Sequence, residues 1–308
     1  MSGTPAVADW GGTSRFVDLG GPVHYVEFGG PAAGPRIVLV HGLGGSHLNW
    51  CLLAGQLVPH ARVTAVDLAG FGLTNPEGRE CTVAANTALL HRFLSEVVGE
   101  PVILVGNSMG GMIAIHEAAV HPDDITGLVL IDPALPPAVG VLPDPLVAMT
   151  FAGYAMPWLG ELFMARGRAR STALDQVRRV YRLCCVDPGL IPPELVTASV
   201  ALVERRARVP GLDTAFLAAA RSVLRTSARR NQYFATMRAV RAPVLVIHGE
   251  SDRLVSIKTA RAAAARNPAW QLVTLPNVGH VPQLEAPETA AAHIRAWLTR
   301  HARTPDPT

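Results

Sequence analysis

Short, nearly continuous apolar runs recur along the chain and predict strands that are buried on both faces. These runs occupy residues 36–40, 62–66, 102–105, 127–131 and 244–247. Continuous apolar runs of this length are typical of strands in a parallel sheet, because both faces of such a sheet are covered by helices. The pattern also predicts helices that provide the crossovers a parallel pair requires, at residues 48–58, 82–98, 109–121 and 256–266.

The two ends of the chain extend this pattern. Residues 16–19 and 23–28 are joined by a Gly-Gly-Pro turn and predict an antiparallel hairpin. Residues 271–275 predict a last strand, and residues 288–300 predict a closing amphipathic helix. The side chains of that helix expected to face inward are Ala292, Ile294, Trp297 and Leu298. The fold class is therefore α/β, with a mostly parallel sheet flanked by helices.

Residues 133–238 break the alternation. They begin with a proline-rich stretch and continue as helical, arginine-rich sequence without a strong strand. We interpret them as a helical cap inserted after the sixth strand, so that residues 1–132 and 239–308 form the core domain. The apolar residues of the cap, including Tyr154 and Trp158, either line a pocket or pack a small core of the cap itself.

Composition limits the function classes. With 308 residues and 49% hydrophobic content, the chain can bury one large core with an appended unit. A formal charge of +3 does not argue for nucleic acid as a partner. The four cysteines have neither metal-ligand spacing nor a disulfide-framework pattern. We see neither a secretory signal nor a transmembrane run, and we expect a cytoplasmic protein.

A candidate nucleophile lies where the strand at residues 102–105 runs into the helix at 109–121. The intervening sequence is Gly-Asn-Ser-Met-Gly at residues 106–110. A serine in a tight strand-to-helix turn needs neighbours without a Cβ atom, so the two glycines favour Ser108 as a nucleophile whose Oγ projects above the sheet. The alternative is a helix-capping serine in a glycine-rich turn.

A base and an orienting acid follow two later strands. His280 comes directly after the predicted last strand, and Asp252 comes directly after the strand at 244–247. The carboxyl ends of parallel strands share one edge, so Ser108, Asp252 and His280 are predicted to meet in the order serine, acid, histidine. Asp132 and Glu250 are the alternative acids.

The negative charge of a tetrahedral intermediate requires backbone N–H donors. We predict that the N–H groups of Met109 and Leu43 provide them, with Gly44 or Gly45 as alternatives for the second donor. The glycine-rich loop at residues 41–45 is not expected to bind phosphate, because no Lys-Ser or Lys-Thr follows it. No metal-ligand spacing occurs among the histidines. The predicted substrate contacts are Gly42, Trp50, Tyr154, Trp158 and Val281.

These motifs resemble those of the α/β-hydrolase fold superfamily, in its branch with a serine nucleophile. The matching segments are HGLGG at 41–45, DLAGFG at 67–72, GNSMGG at 106–111, GESD at 249–252 and GH at 279–280. The resemblance covers nearly the whole chain apart from the cap. It implies an eight-stranded sheet, a Ser108, Asp252 and His280 triad, no cofactor, and ester hydrolysis through an acyl-enzyme. The expected partner is a small-molecule substrate with an apolar portion.

Two other functions stay open on the same residues. Asn107 before the serine also resembles hydrolases that cleave carbon–carbon bonds in dienoic ring-cleavage products. Those enzymes carry a Gly-Pro-Gly-type loop and an aromatic residue after the histidine, whereas this chain has Leu-Gly-Gly at 43–45 and Val281. The second alternative is a ligand-binding receptor with low turnover.

Overall fold

The computed structural model describes residues 10–301, and within them the chain forms one eight-stranded sheet of order β1-β2-β4-β3-β5-β6-β7-β8. The strands are β1 Thr13–Asp18, β2 Pro22–Gly29, β3 Arg36–Val40, β4 Arg62–Val66, β5 Val102–Asn107, β6 Ile125–Ile131, β7 Val244–Gly249 and β8 Gln271–Leu275. β1 and β2 are antiparallel to each other, and β2 is antiparallel to β4. Strands β3 to β8 pair in parallel. The predicted fold class is confirmed.

Twelve helices lie within the described residues. They are α1 Cys51–Leu57, α2 Val83–Phe93, α3 Met109–Val120, α4 Pro145–Ala155, α5 Leu159–Ala169, α6 Ala173–Cys184, α7 Pro193–Arg206, α8 Leu212–Ala228, α9 Arg230–Ala239, α10 Ile257–Arg266, α11 Pro282–Glu285 and α12 Pro287–His301. A 3-10 turn at His47–Trp50 precedes α1, and a π-helical turn at Leu94–Val98 extends α2.

The sheet has a hydrophobic core on each face. Along β3, Val38 and Val40 belong to one core, whereas Ile37 and Leu39 belong to the other. Because alternate side chains of a strand point to opposite faces, burial on both faces requires an uninterrupted apolar run. This is why the central strands could be recognised in the sequence.

The inward face of α12 differs from the prediction at one position. Ile294, Trp297 and Leu298 are buried as expected, but Ala292 is exposed and Ala291 takes the inward place. Residues three and four apart share a helix face, so Ala291 lines up with Ile294 and Leu298, whereas Ala292 does not.

Six helices, α4 to α9, connect β6 to β7, and we call residues 133–238 the cap segment. Some side chains of this segment belong to the two hydrophobic cores of the sheet. Tyr233 and Met237 of α9 belong to the same core as Val38, and Tyr181 of α6 belongs to the other core. The division into a core domain and an inserted cap therefore stays a proposal.

Within residues 10–301, no single helix is both long enough and apolar enough to cross a membrane. Helix α4 and residues 160–167 of α5 meet the length and composition test together, but they are bent by 117°. All four cysteines lie in the described part of the chain, and all are free thiols.

Candidate active site

Ser108 lies in a sharp turn between β5 and α3. Its backbone has φ 53° and ψ −116°, a left-handed conformation that is costly for a residue with a side chain. Hydrogen bonds hold the turn: the Ser108 N–H donates to the Ile131 carbonyl at 3.1 Å, and the Ser108 carbonyl accepts from the N–H groups of Met112 and Ala134. Such strain persists only where the surrounding structure imposes it, and it is common at functional sites.

Gly106 and Gly110 make this turn possible by close packing. A Cβ atom on Gly110 would lie 2.1 Å from the Val40 carbonyl oxygen, and one on Gly106 would lie 2.5 Å from the Gly110 carbonyl oxygen. No side chain fits at either position, so the start of α3 packs directly on the end of β3. The glycine spacing in the sequence therefore has a steric cause.

His280 and Asp252 lie at the carboxyl ends of β8 and β7 and form a hydrogen-bonded pair. His280 Nδ1 lies 2.7 Å from Asp252 Oδ2. The other carboxylate oxygen, Oδ1, accepts the N–H groups of Leu254 at 2.7 Å and Val255 at 3.1 Å. A carboxylate oxygen only accepts, so Nδ1 carries the proton and Nε2 of His280 is left as a proton acceptor.

The electrostatics of this buried pair favour an ionised Asp252. Burial raises the pKa of Asp252, but the nearby His280 and His248 rings and the hydrogen bond from His280 outweigh it. The pKa of Asp252 therefore lies below its ordinary value. An ionised carboxylate holds the imidazole in one tautomer and stabilises it when it becomes protonated.

Asn107 connects the histidine loop to the residue before Ser108. Its Nδ2 donates to the carbonyl oxygens of Ile131 at 3.0 Å and His280 at 3.1 Å. Within residues 10–301, no hydrogen bond joins Ser108 Oγ to His280 in this conformation. The structure brings Asp252 and His280 together and holds the His280 loop beside the serine turn. Serine–histidine hydrogen bonds are often long or poorly aligned without substrate.

The loop that follows β3 packs against the serine. A Cβ atom on Gly42 would lie 3.0 Å from Ser108 Cβ and 3.1 Å from Asn107 Oδ1, so the backbone approaches closely here. Among the described residues, the N–H groups of Leu43 and Met109 have no hydrogen-bond partner. Met109 is also the first residue of α3, where N–H groups favour negative charge.

His41 fixes the conformation of this loop. Its Nδ1 donates to the Gly42 carbonyl at 2.8 Å, and its Nε2 accepts the Leu68 N–H at 3.0 Å. The side chain is fully buried, and burial lowers the pKa of His41 to about 4. A neutral ring with both nitrogens bound to backbone has a structural role and is not available as a second base.

Asp132 and Glu250, the alternative acids, bond groups other than the His280 ring. Asp132 Oδ1 accepts the Gly249 N–H at 3.0 Å, and Asp132 is fully buried beside Asp252. Burial, together with the neighbouring Asp252 carboxylate, raises the pKa of Asp132 well above its ordinary value. Asp132 Oδ2 is buried and has no hydrogen-bond partner among the described residues, and it is Asp252, not Asp132, that bonds the His280 ring. Glu250 bonds Arg261 and Thr274 at the surface.

Glu285 was not foreseen from the sequence, although it holds the histidine loop. Its Oε2 accepts the Gly279 N–H at 2.7 Å, and its Oε1 accepts the N–H groups of Val186 at 2.7 Å and Asp187 at 2.8 Å. The His280 N–H also donates to the Cys184 carbonyl at 2.6 Å. The histidine loop is thus attached to the segment that follows α6. The one sequence signal is an acidic residue within the apolar stretch after His280.

A second buried cluster lies under the loop that follows β4. Asp67 Oδ2 lies 2.7 Å from His24 Nδ1 and 2.9 Å from His47 Nδ1, and it accepts the Leu73 N–H at 2.8 Å. His24, His47 and Asp67 have the residue types of a metal site, as do Asp132, His248 and Asp252. In the Asp67 cluster, however, each facing ring nitrogen already bonds the carboxylate, so its geometry is that of a hydrogen-bonded support.

The predicted substrate contacts divide into two groups. Gly42 lies against Ser108, and Val281 is buried next to His280. Trp50 does not border a substrate site: it is fully buried in the core on the α1 and α12 side of the sheet. Trp158 lies at the turn between α4 and α5 with its side chain 87% exposed, and its contact with substrate stays a prediction.

Tyr154 is the remaining predicted substrate contact. Its ring packs edge-on against Phe216, with ring centroids 5.2 Å apart. Phe216 in turn lies 3.3 Å from where a Cβ atom on Gly44 would be. The contact between Tyr154 and the glycine loop is therefore indirect, through Phe216.

The family model for the alpha/beta hydrolase family matches residues 37–293. Among curated relatives, Lipase 1 of Psychrobacter immobilis is 26% identical and aligns over 86% of this chain and 77% of its own length. The 2-hydroxy-6-oxo-6-(2'-aminophenyl)hexa-2,4-dienoic acid hydrolase of Metapseudomonas resinovorans is 28% identical and aligns over 87% of this chain and 86% of its own length. The haloalkane dehalogenase DatA of Agrobacterium tumefaciens has the same fold, with a TM-score of 0.78 at 22% identity, covering 96% of this chain and 98% of that one.

Proposed function

Because the chain belongs to the alpha/beta hydrolase family, we propose that it is a serine hydrolase that cleaves carboxylic esters through an acyl-enzyme. The observation that carries this proposal is the hydrogen bond between Asp252 and His280, in a loop that Asn107 holds beside the strained Ser108 turn. A serine hydroxyl is a poor nucleophile at neutral pH, and a histidine of fixed tautomer is the base that activates it.

The proposed reaction has two halves, and His280 acts first as a base and then as an acid in each of them. His280 Nε2 takes the Ser108 proton as Oγ attacks the ester carbonyl, and the protonated ring then donates that proton to the leaving alcohol. In the second half, His280 Nε2 takes a proton from water as the water oxygen attacks the acyl carbonyl, and the protonated ring then returns the proton to Ser108 Oγ as the acid is released. Asp252 stays ionised and orients the ring in both halves.

The Leu43 and Met109 N–H groups are the proposed donors to the oxyanion. Both are without a partner among residues 10–301, and the loop of Leu43 packs against Ser108 through Gly42. Preorganised donors of this kind stabilise the tetrahedral intermediate by about 3 kcal/mol each, and they require no reorganisation during the reaction.

A fluorophosphonate probe tests the nucleophile directly. We expect covalent labelling at Ser108, found by peptide mass spectrometry, and hydrolysis of p-nitrophenyl esters by the same sample. Ser108→Ala should lose both, whereas Ser95→Ala, an exposed serine at the far end of α2, should keep both. Labelling at another residue, or unchanged hydrolysis by Ser108→Ala, contradicts the proposal.

Carbon–carbon bond cleavage is the second candidate, and the 28% identical dienoic acid hydrolase favours it. That chemistry requires a cation for the substrate carboxylate, and the cap segment contains several exposed arginines, including Arg166 and Arg179. Comparing kcat/KM for a dienoic ring-cleavage product and for a p-nitrophenyl ester distinguishes the two reactions on the same Ser108.

A further inference from the structure

The cap segment carries a concentration of positive charge that the proposed reaction does not use. Residues 133–238 contain 14 arginines and seven aspartates and glutamates, whereas the whole chain has a formal charge of +3. The rest of the molecule is therefore acidic on balance. A charge asymmetry of this kind indicates an anionic partner for one face of the molecule.

Several of these arginines lie in or beside an exposed hairpin whose first arm carries no charge. Helix α4, the turn after it and α5 form what we call the cap hairpin, residues 145–169. No charged residue occurs between residues 145 and 160. Its exposed apolar side chains are Trp158 (87% exposed), Met149 (68%), Leu146, Met156 and Leu162. Large apolar side chains grouped on a surface in this way mark an interaction site.

The bend of the hairpin is held by Arg221 of α8. The Arg221 guanidinium donates to the carbonyl oxygens of Tyr154 and Met156 and forms an ion pair with Glu161. These bonds tie both arms of the hairpin to α8, and the two arms are bent by 117° relative to each other. The hairpin is thus built to lie on an apolar surface rather than to extend across it.

The arginines and the apolar side chains meet in one groove. A cavity of about 610 Å³ is lined by Arg166, Arg170 and Arg179 together with apolar side chains that include Met156 and Leu162. None of these three guanidiniums has an ion-pair partner in the part of the chain that the structure describes. Unpaired guanidiniums beside exposed apolar groups match an interface that presents anionic headgroups above acyl chains.

We propose that the cap hairpin docks on an anionic lipid surface, with Trp158 at the level of the headgroups and Arg166, Arg170 and Arg179 bound to lipid phosphates. The hairpin reaches the catalytic loop through Tyr154 and Phe216, whose ring contacts lead to Gly44. Docking therefore places the lipid surface on the same side of the sheet as Ser108. The proposed docking is a binding step, and it does not depend on whether Ser108 turns over a substrate.

The test is sedimentation of the full chain with lipid vesicles. We expect binding to phosphatidylcholine vesicles containing about 30% phosphatidylglycerol, weak binding to pure phosphatidylcholine, and loss of binding as salt is raised. Arg166→Gln with Arg170→Gln should weaken binding at least about tenfold. Absence of wild-type binding to the anionic vesicles overturns the proposal.

A matched control distinguishes binding at the cap hairpin from binding that depends only on the net charge of the protein. Arg241 and Arg300 are exposed and lie outside the cap segment: Arg241 precedes β7, and Arg300 bonds Gln271 at the amino end of β8. Arg241→Gln with Arg300→Gln makes the same charge change and should leave binding within about twofold. Equal losses in the two double variants contradict a site on the cap hairpin. Hydrolysis of a water-soluble ester checks that each variant is folded.

Tryptophan quenching locates the contact. Vesicles made with brominated lipids should quench the fluorescence of the wild type, and Trp158→Phe should lose most of that quenching. Unchanged quenching in Trp158→Phe shows that another surface docks. A dimer in gel filtration that Trp158→Ser disrupts, without vesicle binding, shows that a second copy covers the hairpin and overturns the proposal.

Discussion

The Asn107 side-chain amide donates to the His280 carbonyl oxygen at 3.1 Å, across a sequence separation of 173 residues. The same nitrogen donates to the Ile131 carbonyl at 3.0 Å, so one buried amide joins the ends of β5 and β6 to the histidine loop. The residue before the serine therefore helps to position the base. Its effect is distinct from that of a residue that contacts substrate.

Asn107→Ala should lower kcat more than it changes KM. The His280 loop loses its attachment to the serine turn, and two buried carbonyl groups lose a donor, which costs about 1–3 kcal/mol of stability. Steady-state kinetics on a p-nitrophenyl ester and denaturant unfolding measure the two effects. Asn267→Ala removes a buried amide before β8, at the opposite end of the sheet, and should reduce stability without changing kcat. Equal kinetic effects of both variants argue against positioning by Asn107.

Asp252 and Asp132 are neighbouring carboxyl groups with opposite protonation states, and replacing each by asparagine should have different effects. Asp252→Asn removes the acceptor of the His280 proton and should lower kcat by about 10⁴, as expected when the tautomer is lost. Asp132→Asn keeps an oxygen for the Gly249 N–H, and it leaves the bond between Asp252 and His280 in place, so kcat should stay within about tenfold. Loss of activity in Asp132→Asn as large as in Asp252→Asn would assign the orienting role to Asp132.

The pH dependence of stability gives a second measure of Asp132. Its pKa is raised in the folded protein, whereas the unfolded chain has a pKa of about 3.9. The folded state therefore holds the proton more tightly, and the stabilisation from the neutral carboxyl is lost as the pH rises above about 4. Asp132→Asn cannot ionise, so its unfolding free energy should increase relative to the wild type between pH 5 and pH 8. Denaturant unfolding at several pH values measures the difference, and a constant difference contradicts the raised pKa.

Much of the fold could be predicted because the signal for each element is local. The strands at residues 36–40 and 62–66 have the predicted bounds, since four residues of each are buried in the sheet. The strand at residues 271–275 also has the predicted bounds, although only Leu275 of it is buried. Ala292 shows where the same reasoning stops. Residues 290–292 are three consecutive alanines, so the sequence contains no contrast that fixes which of them faces inward.

For the site, the sequence indicated residue types at strand ends but not the contacts between distant segments. Asp252 and His280 each follow a strand, and their proximity follows from sheet topology. Glu285 binds backbone N–H groups, which have no signature in the sequence of the segments that donate them. Trp50 was misjudged for a related reason: an aromatic residue near a catalytic loop has the same sequence pattern whether it faces the site or the core.

Glu285→Ala should weaken both stability and catalysis. It leaves the N–H groups of Val186, Asp187 and Gly279 without an acceptor; the Gly279 group is buried, and leaving it unsatisfied costs about 1–3 kcal/mol, whereas the other two are reached by water. The His280 loop is then free to move away from Asp252, so kcat should fall while KM changes little. Thermal unfolding and steady-state kinetics measure this, with Glu288→Ala, an exposed residue of α12, as the control. Full activity in Glu285→Ala would show that the His280–Cys184 backbone bond and the Asn107 amide are enough to hold the loop.

Gly110→Ala tests the steric basis of the serine turn. The added methyl group would lie 2.1 Å from the Val40 carbonyl oxygen and 2.5 Å from that of His41, so either α3 or the loop after β3 must move. Overpacking of this kind costs about 1–3 kcal/mol or more, and the shift also displaces the Met109 N–H from its proposed oxyanion position. We therefore expect lower stability and a kcat reduced by at least about tenfold.

Gly55→Ala in α1 adds the same methyl group where no atom lies within 4 Å, and it should raise stability by about 0.5–1 kcal/mol with kcat unchanged. Because both changes are Gly→Ala in a helix, a loss confined to position 110 is due to its contact with β3 and not to helix propensity.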